Sequence, residues 1–196
     1  MPNTQENNHT ATSAPPPPPP PPPSSKISPY VLKIKSTPPE AFFPSKKPRP
    51  ATDLPAPTGP YFFYGTLSDP DMLRDVLSLG SGETPQLRPA RIEGYKVKLW
   101  GQYPAILDSG ADSDADSPGS AVHGAVYRVQ TVEHAERLAR YETDSYCAVP
   151  CWVRYCDGEE EGEEGYVFKF VGDVRDLTER EFDLGSWLRR VKRVVD

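Results

Sequence analysis

Tyr61-Phe62-Phe63-Tyr64-Gly65-Thr66-Leu67 is the stretch on which the fold of this chain turns. The aromatic run reads as a β-strand that ends at a glycine. Ser68-Asp69-Pro70-Asp71 comes next and opens an amphipathic helix. A glycine at the join of strand and helix lets another group approach the backbone closely. The amides that follow point past the helix start, where the dipole favours negative charge. Tyr64-Gly65-Thr66-Leu67 is therefore a place to hold a carboxylate or a developing oxyanion without a charged side chain.

Downstream, Asp69 suits the N-cap, Pro70 the first helical position and Gly80 the stop, with Met72, Leu73, Val76, Leu77 and Leu79 on the apolar side. Residues 90–100 alternate from Tyr95 onward and predict a strand. Gly101-Gln102-Tyr103-Pro104-Ala105 turns into a further apolar step, and the acidic 108–120 stretch reads as a loop. Residues 121–129 predict another strand, and Thr131 caps a second helix that ends near Glu142. Trp152–Tyr155 and Tyr166–Val171 predict strands around an acidic turn over 157–164. A last helix is expected across Leu177–Val191, anchored by Phe182, Trp187, Leu188 and Val191. Five or more strands and three helices without strict βαβ alternation predict an α+β domain.

Upstream, the chain changes character. Of 196 residues, the first 59 hold most of the 25 prolines, including the unbroken run Pro15–Pro23. Such a segment buries too little to offset its ordering entropy. Two regions are expected: a disordered Pro-rich tail over 1–59 and a folded domain over 60–196. The tail carries six basic residues against three acidic ones, and the whole chain has a net charge of −6, which leaves the domain at −9. An acidic domain argues against nucleic-acid binding. No stretch is apolar for long enough to cross a bilayer, and the first thirty residues lack a signal-peptide core. Cys147, Cys151 and Cys156 read as reduced thiols, so the expected location is cytoplasmic, with Lys46-Lys47-Pro48-Arg49 as a weak nuclear signal. Only three histidines are present, and no metal tetrad with normal spacing can be assembled. Pro15–Pro23 is either a spacer or a ligand for an SH3, WW or profilin-type reader.

The second helix carries the main chemical clue. Ala135, Leu138 and Glu142 fall on one helical stripe, with Tyr141 and Tyr146 on either side of the acid. An inward-facing Glu142 would sit where the helix dipole and burial both disfavour its charged form, raising its pKa toward that of a general base. The competing reading is a frayed, solvated helix end. Trp100, Tyr103 and Tyr127 fill the core or line a cavity. Cys147 lies near Glu142 but has no histidine nearby to activate it. No Gly-x-Ser-x-Gly elbow and no Gly-rich phosphate loop occurs.

Tyr64-Gly65-Thr66-Leu67, Gly101-Gln102-Tyr103-Pro104-Ala105 and Leu138-Ala139-Arg140-Tyr141-Glu142-Thr143-Asp144-Ser145-Tyr146, in that order, resemble the gamma-glutamylcyclotransferase (AIG2-like) family over about residues 60–171. The closing Phe182–Arg190 stretch is similar to fungal-type members. The resemblance implies a small mixed β-barrel with flanking helices and a cavity at one end. It also implies cyclisation of a γ-glutamyl group to 5-oxoproline with release of an amine or amino acid, and no cofactor. It places the substrate loop on Tyr64, Gly65, Thr66 and Leu67, the proton acceptor on Glu142, and a substrate-contacting tyrosine on Tyr166. Tyr103 and Tyr146 complete the expected substrate-binding set. Acyl transfer to an external amine and a non-catalytic interaction protein are the alternatives. Ser68-Asp69-Pro70 departs from some relatives by placing an acid beside the loop.

Overall fold

Alternation along the first strand sorts its aromatic rings onto two faces, and the rest of the domain is arranged around that split. The computed structural model describes residues 55–80, 82–109, 121–158 and 162–195. The tail up to residue 54, with Pro15–Pro23 and Lys46–Arg49, and most of the 108–120 loop lie outside the described residues.

Strands β1 (Gly59–Phe63), β2 (Arg88–Ile92), β5 (Val122–Val129), β6 (Tyr146–Tyr155) and β7 (Glu163–Phe170) form a closed barrel in the order β1-β5-β2-β6-β7. Parallel pairing of Tyr61 with Tyr166 and of Phe62 with Val167 closes it; the other barrel pairs are antiparallel. Strands β3 (Tyr95–Trp100) and β4 (Tyr103–Asp108) make a hairpin, and β8 (Leu177–Thr178) adds to its edge. The helices are α1 (Pro70–Leu77), α2 (Val132–Glu142) and α3 (Leu184–Val195). This is the α+β barrel with flanking helices that the sequence predicts.

Phe62 faces Ala90, Ile92, Val126, Val153 and Val167 inside the barrel, and Ile106 of β4 joins them. Tyr61 and Phe63 point the other way, under α1 and α2, with Leu73, Val76, Ala135, Leu138, Tyr141, Phe168 and Phe170. A period of two sends neighbouring residues to opposite faces, so one strand serves both cores. Gly124 of β5 makes the fit possible: a Cβ there would lie 2.1 Å from the Phe63 carbonyl oxygen.

The helix starts follow their caps. Asp69 accepts the Met72 amide at 2.9 Å and Thr131 accepts the His134 amide at 3.2 Å. Several boundaries differ from the sequence reading: the 90–100 stretch divides into β2 and β3, and β6 begins at Tyr146, ahead of Trp152. Helix α1 stops at Leu77 through a left-handed Ser78 (φ 55°), ahead of Gly80. Leu177 and Thr178 pair with Trp100 and Leu99 as a short strand, so the last helix starts only at Leu184, after Asp183, whose carboxylate accepts the Ser186 amide at 2.7 Å. Trp187 is its deep anchor, with Phe182 and Leu188 half-buried beside it; the Val191 side chain lies outside the described residues. The acidic turn is shorter than expected, because Glu163 and Glu164 already pair with Val153 and Trp152. No helix among the described residues is long and apolar enough to cross a membrane.

Candidate active site

Where β1 runs out, the chain tightens into a 3-10 turn over Thr66–Ser68, closed by Ser68 N–H to Gly65 carbonyl at 3.0 Å and Asp69 N–H to Thr66 carbonyl at 3.2 Å. The Ser68 hydroxyl ties back to the Phe63 carbonyl at 2.9 Å. The first amides of so short a turn have no partner within it and are directed outward. Gly65 has a φ of −132°, outside the left-handed region that favours glycine; what it supplies is room. A Cβ there would come within 2.7 Å of Pro104 Cγ on β4.

The turn forms one wall of a small hollow that opens to solvent. Its lining runs from Phe62 through Leu67 and adds Tyr103, Pro104, Glu142, Tyr146 and Phe168. Glu142 arrives there as the last residue of α2. The stripe that the periodicity identified holds for Ala135 and Leu138, both fully buried, and Tyr141 is buried with them at 1 % exposure. Glu142 itself is half-buried. Directly after it, Thr143 has φ 64° and ψ −176°. That region suits glycine; a β-branched residue held there stores on the order of 1–3 kcal/mol of strain. It turns the chain away at once, so that β6 starts at Tyr146, back on the hollow.

The phenols around Glu142 are held by specific bonds. Tyr64 donates to the Phe168 carbonyl at 2.7 Å and accepts the Ile106 amide at 3.2 Å, joining β1, β7 and β4. Tyr146 donates to the Pro104 carbonyl at 3.2 Å. Burial pushes both phenols well above their usual range, and the negative charge of Glu142 adds to the effect on each. Both therefore stay protonated and serve as donors. Tyr103 packs on Trp187, with ring centroids 6.1 Å apart.

Tyr64, Gly65, Thr66, Leu67, Tyr103, Glu142 and Tyr146 thus meet in one hollow. Tyr166 does not line it. It stacks on Tyr61 at 5.4 Å, on the same face of β7 as Phe168 but two residues back. Two residues are roughly 7 Å along a strand, enough to take the ring off the site. Phe168 stands where Tyr166 was expected. Pro104 and Phe168 were not singled out by sequence; Pro104 follows Tyr103 directly, and Phe168 shares the face of Tyr166. Cys147 is half-buried but is not on the hollow's wall, and Cys151 is buried in the barrel with its thiol pushed up to about 12. Among the described residues no three of His, Cys, Asp and Glu gather in a way that would hold a metal ion.

A small closed barrel with a solvent-open hollow lined by one carboxylate and by a glycine-opened turn defines the class. The chain belongs to the family of gamma-glutamyl cyclotransferase, AIG2-like proteins, which it matches over residues 61–189. Among solved structures, an Arabidopsis thaliana protein determined in solution is similar in fold, with a TM-score of 0.51, 22 % identity, and coverage of 78 % of this chain and 82 % of that one. A second Arabidopsis thaliana protein gives a TM-score of 0.49 at 23 % identity, covering 74 % and 89 %. A structure named gamma-glutamyl cyclotransferase gives 0.44 at 15 % identity, covering 59 % and 68 %. Comparison with curated proteins gives no match.

Proposed function

We propose that this domain converts a γ-glutamyl amine or peptide to 5-oxoproline and a free amine. The observation that carries the reading is the sharing of one hollow by Glu142 and the Gly65–Leu67 turn. The substrate's own α-amine is the nucleophile and its γ-carbonyl the electrophile, so holding it bent is a large part of the catalysis. An α-amine has a pKa of about 8 and is mostly protonated at neutral pH. The ammonium first releases one proton to solvent, and Glu142 takes a second from the neutral amine as its nitrogen bonds to the γ-carbon. The tetrahedral oxyanion is met by the turn amides, each such donor typically contributing about 3–4 kcal/mol. The γ-carbon–nitrogen bond to the leaving group then breaks, and Glu142 returns the proton to the departing amine. Atoms and charge balance without a cofactor.

Mass-spectrometric screening of a panel of γ-glutamyl amines and peptides tests this reading. Release of 5-oxoproline by the wild-type chain, lost in a folded Glu142→Gln variant, is the expected result. No turnover on any member sinks it. New amides formed from added free amines, in place of 5-oxoproline, would redirect it to acyl transfer.

A further inference from the structure

Thr66 is a buried polar side chain at the centre of the turn, only 5 % exposed. Its hydroxyl lies 3.0 Å from the hydroxyl of Tyr141, a residue 75 positions away in the chain and itself 1 % exposed. Tyr141 immediately precedes Glu142. The turn that carries the proposed oxyanion donors and the helix end that carries the proposed base are therefore joined by a buried bond between neighbours of each. We propose that Thr66 and Tyr141 form a clasp that fixes the seat of Glu142 against the turn amides, with Tyr141 a positioning residue. This rests on the cyclotransferase reading of the same site.

The geometry separates this role from general support of the helix. Helix α2 has other anchors: Ala135 and Leu138 are fully buried, and Arg137 Nη1 donates to the Leu77 carbonyl at 2.7 Å, fastening α2 to the end of α1. These hold the body of α2, whereas the bond to Thr66 is made beside its C-terminal residue. At its C-terminal end α2 leaves through Thr143 with a left-handed φ of 64°, a conformation that gives Glu142 little freedom on that side. The clasp fixes the opposite side. Loss of either hydroxyl leaves its partner buried with one bond fewer, which loosens the turn without removing the apolar packing of the helix. A misplacement of about 1 Å at a reacting centre can cost on the order of 10²-fold in rate.

The test uses Tyr141→Phe, Thr66→Val, Thr66→Ser and the Tyr141→Phe/Thr66→Val double variant of the full chain. Two readouts are taken: amide hydrogen exchange across residues 65–68, and kcat and KM on the best γ-glutamyl substrate. Tyr141→Phe and Thr66→Val should each speed exchange in the turn and lower kcat by on the order of 10-fold or more, with KM changed far less. Thr66→Ser, which keeps the hydroxyl, should restore most of what Thr66→Val loses. The double variant should be no worse than the poorer single one, because both remove the same bond. Unchanged exchange and kcat in Tyr141→Phe, or additive losses in the double variant, overturn the clasp. If Tyr141→Phe does not fold, the Thr66→Val and Thr66→Ser pair decides by the same criteria. Exchange needs no substrate, so it judges the clasp even if the wild-type chain turns over nothing, a result that would instead sink the cyclotransferase reading.

Discussion

Glu142, at the end of α2, and Glu163, on the barrel, are both half-buried carboxylates, and their surroundings differ sharply. Glu163, at the start of β7, takes two bonds of 2.7 Å from Arg128 and a hydrogen bond from the Tyr155 hydroxyl. The Arg88 guanidinium lies 3.9 Å over the Tyr155 ring and pairs with Asp157 at 3.0 Å, extending the network. Burial alone would raise the Glu163 pKa; the bonds from Tyr155 and Arg128 outweigh it and bring the value below the usual range. Glu142 shares its hollow with phenols and apolar rings, and no lysine or arginine among the described residues lines it. A carboxylate locked to a cation is fixed in its charged state and serves the fold. One that lines a solvent-open hollow stands within reach of whatever enters.

Exchanging these two carboxylates for amides gives the sharpest break. Glu142→Gln should reduce 5-oxoproline formation by about 10²–10⁴-fold, the usual contribution of a positioned acid or base. Glu163→Gln should leave turnover nearly intact. Equal losses in the two variants would erase the functional distinction between them. Rates measured beside far-ultraviolet circular dichroism decide it.

The turn opposite Glu142 gives the next effect. In Gly65→Ala the added methyl meets Pro104 Cγ at 2.7 Å, so either the turn or the proline must move. Overpacking of this kind costs about 1–3 kcal/mol of stability, and the displaced amides should lower kcat as well. Urea melts and kinetics of the variant read the two losses separately. A variant as stable and active as wild type would show that the turn is not held against Pro104.

The phenols sharpen the comparison from the other side. Tyr64 and Tyr146 lie beyond the ordinary tyrosine range of about 10, so they hold their protons through the whole neutral and mildly alkaline span. Their contribution to stability is intact below the unfolded pKa and is lost as pH climbs from there toward the folded value. Absorbance titration of the native protein should therefore show the same tyrosinate signal below about pH 10 in Tyr146→Phe as in wild type. A missing component in the variant would make Tyr146 an accessible, titrating group and remove it from the set of fixed donors.

How much of this was legible in the sequence varies by element. Caps at Asp69 and Thr131 made the first two helix starts readable, and β1 and β5 could be read from their residues, because these signals are local; β2 and the first half of β6 were not read as strands. The stripe of Ala135, Leu138 and Glu142 left a frayed helix end open as well, and only the family resemblance pointed to Glu142 as the base. That Phe168 lines the hollow and Tyr166 does not was not legible, since both lie on one face of β7 and only pairing with β1 fixes their depth. The start of α3 was obscured because Leu177 and Thr178 join a strand at Leu99 and Trp100, far off in the chain. The Thr66–Tyr141 bond has no local pattern at all: two hydroxyls 75 residues apart are brought together only by the packing of α2 on β1.

The smallest effect belongs to Glu163, where the expectation concerns stability. Its side chain is 34 % exposed, so solvent screening limits the ion pair with Arg128. Glu163→Gln should cost no more than about 1 kcal/mol at neutral pH, since glutamine can still accept from Tyr155 and Arg128. The sign of the pH dependence follows from the depressed folded pKa. Such a group stabilises the fold above its unfolded pKa of about 4.3, and the contribution vanishes as pH falls through the folded value. The gap between wild type and Glu163→Gln should be widest near neutrality and close in acid. Urea melts with unchanged m-values, taken from neutral pH downward, measure it. A gap that stays constant or widens in acid would mean that the ion pair does not hold Glu163 charged, and the contrast with Glu142 would then rest on location alone.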